Sequence, residues 1–148
     1  MTTSLPRGFR SYVTNIGVKD QTDDFTVVAA DGPCSAAAVF TQSSFAGASV
    51  LLSRRNAASG TARAMVVISK NANVATGDQG LADALEIVTA VAHRIGGRPE
   101  DVLIAQTGVI GRLLPMGVFE TGIPAAAKAL GTGETKANEA ATAILTTD

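Results

Sequence analysis

The 148-residue chain has no tryptophan, one tyrosine, one cysteine and one histidine, and only 4% of its residues are aromatic. A lone Cys34 forms no internal disulfide, and with His93 as the single histidine there is no Cys/His cluster of the kind that holds zinc. No metal and no other cofactor is expected. Clustered cations are missing too: 12 Lys and Arg stand against 13 Asp and Glu, for a formal charge of −1, and only Arg54 and Arg55 are adjacent. That scatter argues against a nucleic acid or an anionic membrane as partner, since both select for clustered Lys and Arg. No apolar run approaches the ~20 residues of a membrane span. The first eight residues, Met1 to Gly8, lack the apolar core of a secretory signal. The expectation is a cytoplasmic protein with neither nucleic acid nor membrane as partner.

What is present is aliphatic. Hydrophobic residues make up 46% of the chain, so Ala, Val, Ile and Leu must build the core. The length suits a single domain over 1–148, able to bury roughly 70% of its unfolded surface. Residues up to 19 read as loop and short extended pieces. A strand is expected over 25–30, broken by Asp31-Gly32-Pro33, and a second over 35–41, so that the two form a hairpin. A short strand over 49–52 and a helical turn over 53–60 follow. Met65-Val66-Val67-Ile68 centres the clearest buried strand, over 63–69. A helix over 81–95 presents Leu81, Leu85, Val88, Ala92 and Ile95 on one stripe and stops at Gly96-Gly97. His93 lies off that stripe and reads as a surface residue, whereas Cys34 reads as a small buried hydrophobe. Further helices are expected over 124–130, opened by Pro124, and over about 135–144. Strands and helices mix without the alternation of a βαβ fold, which gives an α/β class of the α+β or layered kind.

The rest of the chain is organised around Thr107-Gly108-Val109-Ile110-Gly111. The apolar run Val102-Leu103-Ile104 leads into it as a strand, and the two glycines permit a turn. Such a strand delivers a threonine hydroxyl and a glycine amide side by side. Two adjacent donors of that kind stabilise the oxyanion that develops in acyl transfer. On spacing alone, a glycine turn with Thr107 bonded to its own backbone is the simpler account. The loop over 70–77 carries Asn71 and Asn73 at the end of a buried strand, where they hold an unusual turn or contact a ligand; the structural role is the simpler of the two.

Five stretches, in order, carry a resemblance. They are Pro6-Arg7-Gly8-Phe9, Ala38-Val39-Phe40-Thr41, Asn71-Ala72-Asn73-Val74-Ala75-Thr76-Gly77, Thr107-Gly108-Val109-Ile110-Gly111 with Leu114-Pro115-Met116, and Ala143-Ile144-Leu145-Thr146-Thr147-Asp148. Together they are similar to the N-terminal part of the ornithine acetyltransferase (glutamate N-acetyltransferase) family, over nearly the whole chain. The resemblance implies a four-layer α/β/β/α sandwich and a precursor that cuts itself before a threonine into α and β chains, assembled as α2β2. The new N-terminal threonine of the β chain then carries an acyl group between small amino-acid substrates, its own α-amine serving as base. Thr107 and Gly108 match the family's oxyanion pair, and Thr146 matches a substrate-binding threonine. Asn71 and Asn73 match a loop beside the active site. Ile68-Ser69-Lys70 stands where the biosynthetic enzymes usually have Asn-Ser-Gly, and so looks more like relatives from actinobacterial secondary metabolism. The implied setting is therefore arginine biosynthesis or antibiotic biosynthesis. The family's substrate-binding lysine and nucleophile are expected outside these 148 residues. The primary expectation is the α chain of an N-acyl amino acid acyltransferase acting from N-acetylornithine-like donors to glutamate. An amide or ester hydrolase on the same scaffold and a non-catalytic binding domain are the alternatives.

Overall fold

The structure, a computed structural model, describes residues 4–145, apart from the side chain of Ala127. Four strands form one sheet in chain order: β1 (Phe9–Thr14), β2 (Phe25–Ser35), β3 (Thr61–Ile68) and β4 (Val102–Gln106). The first two pairings are antiparallel; β3 and β4 run parallel. A parallel pair needs a crossover, and α2 (Gly77–Ile95) supplies it. The other helices are α1 (Ala48–Ala57), α3 (Met116–Lys128) and α4 (Glu134–Ala143), with a 3-10 turn at Pro99–Asp101. The class is mixed α/β, as the sequence predicts.

One face of the sheet carries the core. Phe25, Val27, Val66, Ile68, Val102 and Ile104 lie almost fully buried there, against Leu52, Ile87, Val88, Phe119 and Ile123 of the helices. The rings of Phe25 and Phe119 meet edge to face at 6.2 Å. The opposite face is half covered: α4 lies over β1, where the Ser11 hydroxyl donates to the Lys136 carbonyl at 2.9 Å. Over β3 the face stays open, and Met65, level with Leu103 in the register, is 43% exposed.

Three expectations are corrected here. Residues 49–52 belong to helix α1, not to a strand. Its buried positions Ala48, Ser49, Leu52, Ser53 and Asn56 follow helical spacing, but most are small or polar. The polar ones do structural work. Ser53 Oγ bonds both the N–H and the carbonyl of Ile104 at 2.7 Å, and Asn56 Nδ2 donates to the Val102 carbonyl at 2.9 Å. Since β4 is the last strand of the sheet, α1 satisfies backbone groups that a further strand would otherwise pair.

The hairpin is the second correction. Instead of breaking at Asp31-Gly32-Pro33, β2 runs through to Ser35 with a register shift between Ala29 and Cys34, and residues 36–42 form no strand. Pairing with β1 has ended by then, at Ala30, so Pro33 sits at an irregular edge where its missing N–H costs little. Cys34 is only half buried there, its Sγ donating to the Ala62 carbonyl at 3.3 Å. The third correction lengthens a helix: α3 begins at Met116 and holds Pro124 inside it. Phe119, Ile123 and Ala126 bury one stripe, and Gly122 leaves room for Ile16, whose side chain a Cβ would overlap.

Helix α2 starts earlier than expected, and its buried stripe is rotated. Ala84, Ile87, Val88, Val91 and Ala92 face the core, while Leu81 and Leu85 are 37% and 39% exposed. His93 is exposed in the last turn, as expected. Gly96, at φ +69, ends the helix in the left-handed conformation. At the entry to β4, Arg98 binds Asp101 side chain to side chain at 3.0 Å, and that hydrogen bond above all holds the Asp101 carboxyl below its usual range.

Candidate functional site

Because β3 and β4 are parallel, their C-terminal ends lie side by side, and the loops 69–76 and 107–115 leave the sheet together. Ligands in open α/β sheets bind at such carboxyl ends. The loops are laced to each other. Thr107 N donates to Ile68 O at 3.1 Å, Val109 N to Lys70 O at 2.8 Å, Ala72 N to Val109 O at 3.0 Å and Gly111 N to Val74 O at 2.8 Å. The Gly108 N–H falls between two of these rungs. Among the described residues neither it nor the Thr107 hydroxyl has a hydrogen-bond partner, and both residues are exposed. Thr107 therefore does not cap its own backbone, and two adjacent donors stand free at the strand end.

The lacing depends on glycine. Gly108 has φ +132, and a Cβ there would overlap the carbonyl group of Lys70. On the facing loop three non-glycine residues are left-handed: Lys70 (φ 79), Asn73 (φ 50) and Ala75 (φ 59). Such backbone costs on the order of 1–3 kcal/mol per residue and persists only where its surroundings enforce it. The two asparagines do the enforcing. Asn71 Nδ2 donates to the carbonyl of Arg112 at 3.0 Å, and its Oδ1 accepts from Asn73 N at 2.8 Å. Asn73, fully buried, donates to the Gly80 carbonyl at 2.8 Å and to Gln106 Oε1 at 3.1 Å, and accepts from the Thr76 hydroxyl at 2.7 Å. Their structural role, the simpler reading from sequence, is the one observed.

The structure thus brings Thr107 and Gly108 together with the asparagine loop. Thr146 lies outside the described residues. Three neighbours went unpredicted: Gln106, whose buried Nε2 lacks a partner among the described residues, and the cations Lys70 and Arg112. Lys70 stood out in sequence only as a departure from the family's Asn-Ser-Gly, and Gln106 and Arg112 carried no signal, so the contacts alone place these three beside the site. Among the described residues no group of His, Cys, Asp and Glu is placed to hold a metal ion, and no helix is long and apolar enough to cross a membrane.

Comparison with known protein families matches residues 10–148 to the ArgJ family. The chain belongs to that family. Among curated relatives, it is 46% identical over 145 residues to arginine biosynthesis bifunctional protein ArgJ 2 of Nostoc sp., and 45% identical over 148 residues to glutamate N-acetyltransferase Oat2 of Streptomyces clavuligerus. These alignments take in 98% and 99% of the chain but 37% of either relative. The chain therefore spans a little over a third of their length. The ornithine acetyltransferase of Mycobacterium tuberculosis, solved in complex with ornithine, is similar in structure with a TM-score of 0.90 at 33% identity, covering 97% of this chain and 78% of that one. The ArgJ protein of Bacillus halodurans gives a TM-score of 0.85 at 34% identity, over 96% of this chain and 74% of that one.

Proposed function

We propose that this chain is the α part of an ArgJ-type acyltransferase that moves an acetyl or other acyl group from an N-acetylornithine-like donor to glutamate. The acyl group passes through an ester on the N-terminal threonine of a β chain, and Thr107 and Gly108 supply the oxyanion hole. The observation that carries this reading is the pair of free donors, the Thr107 hydroxyl and the Gly108 N–H, held at one strand end by a strained double loop. The relatives' names support the reaction class: one is a glutamate N-acetyltransferase, another an ornithine acetyltransferase crystallised with ornithine. Oxyanion donors act only on an acyl carbon under attack, so a nucleophile must come from elsewhere, and the family relationship points to the β chain.

Two surfaces fit that partner. Met65 on the open sheet face is 43% exposed, and in the site loop Val109, Ile110 and Leu113 are 47%, 58% and 55% exposed. Apolar groups concentrated beside a reacting centre are groups a partner covers. The assembled enzyme is then an α2β2 particle working in the cytoplasm. Expressed from its full reading frame, the protein should yield two polypeptides by intact mass, the second beginning with threonine, and should transfer acetyl from N-acetylornithine to glutamate faster than to water. A single uncleaved species, or release to water alone, would overturn the proposal.

Thr146 is assigned to the amino-acid substrate. Thr146→Val keeps the shape and removes one hydrogen bond, so KM should rise by the equivalent of ~1 kcal/mol, toward ~3 kcal/mol if a charged substrate group loses its partner. Steady-state kinetics on the processed enzyme checks this; an unchanged KM and kcat would make the residue structural.

A further inference from the structure

Directly beside the proposed oxyanion hole lies a cavity of about 320 Å³ lined by Gly17, Val18, Lys70, Asn71, Val109, Arg112, Leu113 and Pro115. It shares backbone with the hole. Its Lys70 is the residue whose carbonyl group Gly108 packs against, and its Val109 directly follows Gly108. Its walls are of two kinds. Val18, Val109, Leu113 and Pro115 are apolar, whereas Lys70 and Arg112 bring two cations and no carboxylate lines the space. Lys70 reaches only Asp20, at 3.4 Å, and Asp20 is 93% exposed. The Arg112 guanidinium has no ion-pair or hydrogen-bond partner among the described residues.

Lys70 holds its place at a backbone cost. Its φ of 79 is one that lysine adopts with strain and glycine adopts freely. The strained backbone serves the loop lacing, but that lacing uses only the Lys70 carbonyl, which any residue would supply. The ammonium group is not used by the fold beyond one solvent-exposed pair, which contributes little. Asn71 meanwhile grips the Arg112 and Leu113 carbonyls at 3.0 and 3.3 Å, fixing the backbone from which the second cation projects. Lys70 and Arg112 both line one apolar-walled space, and a guanidinium and an ammonium brought to it are suited to a carboxylate, which arginine binds through two parallel hydrogen bonds.

We propose that this cavity is an acyl-chain subsite for a donor whose acyl group ends in a carboxylate, a dicarboxylic monoacyl group of the succinyl kind. The inference rests on the oxyanion assignment of Thr107 and Gly108. With the acyl carbonyl held there, a short methylene chain lies along Val109 and Leu113, and its terminal carboxylate meets Arg112 and Lys70. Asp20 is displaced from Lys70 as the carboxylate arrives. Chemistry at the carbonyl is unaltered: the ester to the β-chain threonine forms as the amide C–N bond breaks, and the threonine hydroxyl proton passes by way of its own α-amine to the leaving nitrogen, which departs as the free amine.

The test uses the full-length, processed enzyme and three ornithine donors, N-acetyl, N-butyryl and N-succinyl, with glutamate as acceptor. Butyryl and succinyl chains have similar length and differ in the terminal charge. Wild type should favour succinyl over butyryl in kcat/KM, and Arg112→Gln and Lys70→Gln should each lower that ratio at least tenfold, mainly through KM. Arg55→Gln, which removes a cation that does not line the cavity, should leave the ratio as it is. A wild-type enzyme that does not prefer succinyl over butyryl sinks the subsite, as does a preference that survives both substitutions. If both substitutions slow all three donors equally, the cations hold the amino-acid moiety or the partner chain, which also overturns the proposal. In each of those cases acetyl transfer by wild type persists, whereas failure of the oxyanion reading shows as normal kcat in Thr107→Ala with every donor.

Discussion

Thr107→Ala in the assembled, processed enzyme is expected to lower kcat by about 10²-fold with little change in KM. The reason lies in when the charge appears. In the proposed reaction, the donor's carbonyl oxygen is neutral in the ground state and gains its negative charge as the β-chain threonine attacks. A hydroxyl aimed at that oxygen therefore binds the transition state more tightly than the substrate, and its loss falls on kcat. The hydroxyl has no other work among the described residues, since it bonds nothing in the loop. Removing it should thus leave the melting temperature near that of the parent. A merely structural threonine predicts the reverse, a lower melting temperature with turnover per folded molecule retained. Thr107→Ser keeps the donor and should recover most of the rate. The proposed self-cleavage passes through an oxyanion as well, so slower processing is expected alongside. Kinetics must then be measured on the processed fraction, and a normal kcat there would falsify the assignment.

What the sequence made readable is the part where physics is local and repetitive. The runs ending at Ile68 and Ile104 are β-branched and apolar because they are buried in the sheet, and both became strands. Helix α2 showed through its periodicity even though its buried stripe is turned from the expected one. Helix α1 was hidden for the opposite reason. Ser53 and Asn56 face inward to satisfy the edge of β4, so the helical stripe contains polar residues and leaves Leu51 46% exposed. Pattern reading assumes that the buried side is apolar, and here it is not. Pro33 and Pro124 misled similarly. Pro33 sits at a strand irregularity, where a missing N–H costs little, whereas Pro124 lies inside a helix that keeps its course through the buried stripe Phe119, Ile123 and Ala126 despite the lost bond. Neither context can be inferred from neighbours in sequence.

The candidate site was legible by residue type but not by geometry. A threonine and a glycine after a strand mark the place, and family resemblance assigns them a role. That both donors are left free depends on residues 39 positions earlier, since the rungs on either side of Gly108 run from Thr107 to Ile68 and from Val109 to Lys70. Likewise Asn71 and Asn73 announced an unusual turn. The partners that make it, the Arg112 and Gly80 carbonyls and the Gln106 side chain, are contacts between distant segments. Long-range contacts of this kind leave no local pattern.

Gly108→Ala is expected to have the largest effect of all, and Gly111→Ala shows why. Both glycines have positive φ, +132 and +77; a side chain incurs a backbone penalty of about 1–2 kcal/mol near the left-handed region at Gly111, and no less at Gly108, which lies further from it. At Gly111 nothing lies within 4 Å of the new Cβ, and that penalty should be the whole effect. At Gly108 the Cβ would overlap the backbone carbonyl of Lys70, which cannot swing aside as a side-chain tip can. Overpacking of that kind adds about 1–3 kcal/mol. The loops can relieve it only by parting, which stretches the bond from Val109 N to Lys70 O, 2.8 Å long in the native loop, and turns the Gly108 N–H away from the reacting carbonyl. The loss should therefore appear twice: a urea midpoint lowered by clearly more than in Gly111→Ala, and a kcat reduced by at least about 10²-fold in the fraction that still folds. If the two alanine variants unfold at the same urea concentration and turn over alike, the close approach of Gly108 to Lys70 does not hold in solution, and the strained double loop is not what positions the amide.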